Sequence, residues 1–144
     1  MRLTRAQRRG RELRRELGLR GRVDAEALAE HLGLEVFSWP FRTLQEMKVD
    51  DVIGVAERLD ASWRRWVIAH AIGHSLLHPG NHLWMQEHTL LGHRVEREAE
   101  EFAGALLVDE DEALERGLVH PSEVAEYFGV PEEMARNHSL WSGR

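Results

Sequence analysis

The chain has 144 residues, 42% hydrophobic and 31% charged, with a net charge of −6 and no cysteine. This is the size and balance of one globular domain, and it excludes disulfides and thiolate metal sites, so a transition metal would need His, Asp or Glu as ligands. No apolar run approaches the roughly 18–20 residues that cross a bilayer, and no apolar stretch follows the first arginines as in a signal peptide, so a cytoplasmic protein without membrane contact is expected.

The charge is unevenly spread. Residues 1–22 hold nine arginines against Glu12 and Glu16, the remainder is acidic, and Lys48 is the single lysine. A helix is predicted over residues 4–17, with Leu3, Leu13 and Leu17 as sparse apolar positions, and Gly18 and Gly21 end it. Residues 1–22 are therefore expected to form a basic N-terminal arm ahead of a domain at 23–144. Such an arm can lie against the protein's own acidic body or meet nucleic acid. Asp24 is a good N-cap for a short helix carrying Ala25, Leu28, Ala29 and Leu32, stopped by Gly33. Leu34 to Phe37 is β-prone and ends at Trp39-Pro40, and Val52 to Leu59 is a second strand candidate, interrupted by Gly54. Residues 41–51 read as a loop or a short turn of helix.

From Ser62 to Leu77 the pattern is helical, with Asp60 or Ser62 as cap and Trp63 and Trp66 as packing aromatics; Pro79-Gly80-Asn81 ends it. Residues 81–93 read as a loop with Leu83-Trp84-Met85 as an apolar anchor. A second long helix is predicted from Arg94 to Leu107 on the stripe Ala99, Phe102, Ala103, Leu106 and Leu107. Short helices at 109–117, 121–128 and from Pro131 to His138 complete the chain. The last two have the rhythm of a helix-turn-helix, but Glu132 and Glu133 open the second, which suits packing and not DNA.

His70 and His74 sit mid-helix at i and i+4, a spacing that places both imidazoles on one face and lets them grip one ion. On a helical wheel Glu96 is the acidic side chain of the second long helix aimed closest to the core, and a carboxylate there needs a counterion or a metal. Two packed helices can thus supply His70, His74 and Glu96 and leave a fourth position open. Zinc suits imidazole and carboxylate ligands, although spacing alone does not name the metal. His78 extends the series and reads as a residue at the helix C-terminus; His82, His88 and His93 read as loop residues.

The stretch Ile68-Ala69-His70-Ala71-Ile72-Gly73-His74-Ser75-Leu76-Leu77-His78 resembles the AHELGHxLLH signature of ImmA/IrrE metallopeptidases. Glu96-Arg97-Glu98-Ala99-Glu100-Glu101-Phe102-Ala103-Gly104-Ala105-Leu106-Leu107 resembles their ExEANxFAxxLL signature. The likeness extends over most of residues 23–136. It implies that His70, His74 and Glu96 hold zinc in the gluzincin manner, and that family members cleave repressors or stress regulators. It also implies an α+β, zincin-like domain whose two long helices form the metal site beside a small two- or three-stranded sheet.

One position departs from the family. Where HExxH peptidases carry the glutamate that acts as general base toward the attacking water, this chain has Ala71. Either the protein binds without cutting, or the alanine is an introduced replacement, or another carboxylate substitutes, with Glu87 and Glu98 as candidates. Glu100 is a candidate for bonding the second nitrogen of a ligand histidine. The expected function is that of a zinc-binding metallopeptidase-family protein, weak or inactive as a catalyst. The alternative is a regulatory module that holds a repressor-like partner, with the metal structural.

Overall fold

The computed structural model describes residues 2–78, 83–84 and 90–138, extending only to the backbone at 83–84 and 90–93. Its elements in chain order are α1 (Arg5–Glu16), α2 (Ala25–His31), β1 (Glu35–Trp39), β2 (Glu46–Val49), β3 (Val52–Ala56), α3 (Ala61–Leu77), β4 (Leu83–Trp84), α4 (Leu90–Leu107), α5 (Glu110–Glu115), α6 (Pro121–Phe128) and α7 (Glu132–Arg136). The α+β class is as expected, with three strands of four or five residues and a two-residue β4 at the margin.

The sheet order is β1-β3-β2-β4. β1 runs parallel to β3, and β2 is antiparallel to both β3 and β4. The register places Val36, Ile53 and Lys48 in one row facing the helices, with Ser38, Val55 and Glu46 in the next. The other face carries Phe37, Trp39, Met47, Val49 and Val52, of which Phe37, Trp39, Val49 and Val52 are exposed.

β2 and the two-residue β4 are missing from the sequence reading, which placed a loop or a short turn of helix over residues 41–51 and a loop over 81–93. The alternation of β2 is inverted: Glu46 and Lys48 point inward and are buried, while Met47 and exposed Val49 point outward. A half-buried strand is read from apolar residues on its core face, and here that face is charged. The second long helix also begins earlier than expected, at Leu90 and not at Arg94, while β3 stops at Ala56.

α3 lies at the centre. Asp60 caps it by accepting from the Trp63 N–H, and every residue from Trp66 to His74 is buried. A helix buried all round has partners on several sides: α2, β2 and β3, α4 and the edge of α1. The tightest approach is to α4. A Cβ added at Gly73 would lie 3.0 Å from Phe102 Cδ1 and 3.3 Å from the Ala99 backbone.

Of the segment 1–22, expected as an arm outside the domain, the described residues 2–22 include a helix packed into it. α1 is fixed at its start by a capping box between Thr4 and Gln7. It crosses α4 so closely that a Cβ at Gly10 would meet the Phe102 carbonyl oxygen at 2.5 Å. Ala6 and Leu13 belong to the same core cluster as Phe102, Leu106 and Phe128. Sparse apolar residues suffice because glycine and alanine let the backbones approach.

Several arginines of this segment are paired within the domain. Arg14 is 1% exposed, donates to the Leu106 carbonyl at 2.8 Å and pairs with Glu112 at 3.1 Å. Arg11 and Arg15 both reach Asp111, and Arg20 reaches Glu115. Four arginines of the basic segment thus pair with the acidic α5, while the helix itself packs on α4.

Candidate metal centre

α3 presents His70 and His74 side by side. Their rings stand edge to face with centroids 4.6 Å apart, and each residue is 3% exposed. From α4, Glu96 reaches across so that Oε1 contacts His70 Nε2 and Oε2 lies 3.5 Å from His74 Nε2. One ligand atom from each of the three residues falls within 4.8 Å of the other two, the scale of a single coordination sphere. The close helix crossing at Gly73 makes this reach possible, since it lies between the two histidines and one turn from Glu96 across the interface.

The electrostatics fit a metal-binding role. Burial disfavours charge on His70, but the Glu46 and Glu96 carboxylates on either side outweigh it and hold its pKa well above the ordinary value. Burial dominates at His74 and pushes it down to about 4, against the pull of Glu96. Burial would raise Glu96, yet the two histidines lower it to about 2. Glu96 is thus an anion between a protonated His70 and a neutral His74, and an ion held here would take the place of the His70 Nε2 proton. His70 Nε2 and Glu96 Oε2 are both buried and without a hydrogen bond of good geometry. Two imidazoles and a carboxylate converging in this way form a donor set that fits a divalent ion such as zinc.

Ala71 follows His70 on α3 and is 1% exposed. Of the carboxylates considered as substitute bases, Glu98 turns to the opposite neighbours: its Oε1 lies 3.8 Å from His78 Nε2 and 3.5 Å from Arg94 Nε. Glu87 lies outside the described residues, as do His82 and His88, and the His93 side chain is likewise not described. Among the described residues, Glu96 is the only carboxylate in the ligand group.

Glu100, a candidate either for the second nitrogen of one of the histidines or for a plain solvated position, is exposed. The carboxylate on the other nitrogen of His70 is Glu46 of β2, whose Oε1 meets Nδ1. The sequence reading missed it because it missed the strand. The available signal was a charged residue alternating with Met47 and Val49, a pattern that also describes an exposed loop. His78 is half-buried at the end of α3, its ring 5.5 Å from that of His74.

A histidine pair on one buried helix, a carboxylate on the helix crossed against it and a small mixed sheet alongside define a zincin-like α+β domain. The chain belongs to the IrrE N-terminal-like domain family, whose model matches residues 29–139. A solved Mycobacterium tuberculosis transcriptional regulator has the same fold, with a TM-score of 0.67 and 18% identity. That likeness covers 90% of this chain and 44% of the regulator, so the chain spans less than half of that protein's length. No curated protein matches the sequence significantly. Among the described residues, no helix is long and apolar enough to cross a membrane.

Proposed function

We propose that this chain is a zinc-holding domain of the peptidase type that engages a protein partner and hydrolyses it weakly or not at all. The observation that carries this reading is Ala71, buried directly after the first histidine, while no described carboxylate except Glu96 joins the ligand group. His70, His74 and Glu96 are the ligands. When bound, zinc supplies Lewis acidity toward a carbonyl and lowers the pKa of water toward about 7. The chain's own residues then hold the ion and position what approaches it, but none of those described accepts a proton where the family places its base.

Metal analysis tests the first half. Protein purified without chelator should hold about one zinc per chain, and His74→Ala should lose most of it. Absence of metal in the wild type, or undiminished zinc in His74→Ala, would sink the assignment.

A second reading keeps the metal purely structural and makes the domain a regulatory interaction module for a repressor-like partner. Its support is the solved neighbour, a transcriptional regulator. The two readings part when Glu is restored at position 71: only a working centre gains hydrolysis.

A further inference from the structure

Glu46 lacks a purpose in the core. It is 1% exposed, on the inward face of β2, opposite fully buried Val55 of β3. A valine or leucine would fill such a place without cost, whereas a buried carboxylate is expensive unless it is paired. Its Oε2 has no hydrogen-bond partner among the described residues, so the pairing rests on Oε1 and His70 Nδ1. The opposite edge of the same ring, Nε2, faces Glu96. The His70 imidazole therefore stands between a strand carboxylate on one side and the ligand group on the other.

We propose that Glu46 is the positioning residue of the metal centre: it accepts a hydrogen bond from His70 Nδ1–H and so keeps the Nε2 lone pair aimed at the ion. This rests on the metal reading above. A histidine offers a metal the nitrogen that its other hydrogen bond leaves free. With Nδ1–H committed to a carboxylate, the neutral ring has one tautomer and one orientation, and the carboxylate makes Nε2 a stronger donor. Glu46 is not itself a ligand, since its oxygen lies against Nδ1 and the ligand group contains only His70, His74 and Glu96. Nor does it replace the missing base, because the ring stands between it and that group. The tether also links the site to the sheet, for Glu46 sits on the strand that pairs with both β3 and β4.

The test uses the full chain as wild type, Glu46→Gln and Glu46→Leu, each checked for a cooperative melt. Zinc affinity is measured by competition with a chromophoric chelator, and the His70 tautomer is read from ring 1H–15N NMR spectra with and without zinc. Glu46→Leu should weaken zinc binding by about 10–100-fold, the usual loss when such a partner is removed. Glu46→Gln keeps an oxygen acceptor and should lose less, while its His70 remains protonated on Nδ1. Equal affinity in all three proteins, or His70 bound to zinc through Nδ1, would overturn the assignment. So would a metal-free wild type without a hydrogen-bonded Nδ1 proton. Wild-type protein that shows this proton but takes up no zinc would instead overturn the metal reading.

Discussion

Gly73 and Phe102 meet where α3 crosses α4, and a side chain at position 73 would force its neighbours to give by a few tenths of an ångström: an added Cβ would sit 3.0 Å from Phe102 Cδ1. The Ala99 backbone, at 3.3 Å, blocks the other side. Phe102 is fully buried, so its ring has little space into which to retreat. Gly73 thus sets the helix separation that lets Glu96 reach the two histidines. Gly73→Val should destabilise by about 1–3 kcal/mol, the usual penalty for overpacking a core. Zinc affinity should fall further than in a core variant of equal stability placed away from the crossing, such as one at Val124. Denaturant melts and metal titrations of the pair check this; parallel losses would mean that the helix separation does not govern the site.

Restoring the family's residue with Ala71→Glu should create or raise metal-dependent proteolysis. A glutamate next to the first ligand can act as the proton acceptor that the described residues lack. A positioned general base is worth about 10²–10⁴ in rate. Because Ala71 is buried, the variant should also melt at a lower temperature than the wild type unless metal is present. Cleavage of a protein substrate by both forms, at equal zinc content and with a chelator control, provides the measurement. If the alanine form already cleaves as fast, another residue serves as base.

Removing residues 1–22 should cost the protein its cooperative fold. The deletion strips Ala6 and Leu13 from the core, uncovers α4 along its contact with α1, and takes Arg14 and the Gly21 N–H away from Glu112. Removing even one large buried side chain from a core typically costs about 2–5 kcal/mol, a large share of the about 5–15 kcal/mol that holds a typical domain together. A fragment beginning at Val23 that melts cooperatively near the wild-type temperature would show α1 to be an accessory.

Glu112 links α1, α5 and α6. It accepts from Arg14 at 3.1 Å, from the Gly21 N–H at 2.9 Å and from the Tyr127 hydroxyl at 2.6 Å. Burial would raise its pKa, but these donors overcome that and lower it. A carboxylate whose pKa is lower folded than unfolded adds stability that is fully present above the unfolded value and is lost as pH falls through the folded one. Glu112→Gln should therefore lower stability at neutral pH, by about 1–3 kcal/mol for a charged hydrogen-bond partner. The gap should narrow as the pH falls below the usual carboxylate range. Melts of both proteins from pH 7 down to pH 3 test the sign; a gap that widens on acidification would contradict it.

The parts of the site that depend on one helix at a time are legible in the chain alone. Histidines four apart must share a face once α3 forms, and Glu96 is directed inward by the stripe of Ala99, Ala103 and Phe102 on its own helix. Ala71 and the absence of cysteine are likewise legible in the chain alone. Whatever depends on two distant segments meeting emerges only from the fold. Glu46 lies 24 residues before His70, on a strand whose buried face is charged, and local alternation cannot separate such a strand from an exposed loop. Its burial makes sense only when the ring it serves is in place. The same holds for Arg14 and Glu112, which are 98 residues apart. Each alone reads as a solvated charge, because the cost of burying a charge is met by a partner and not by anything in its neighbours along the chain.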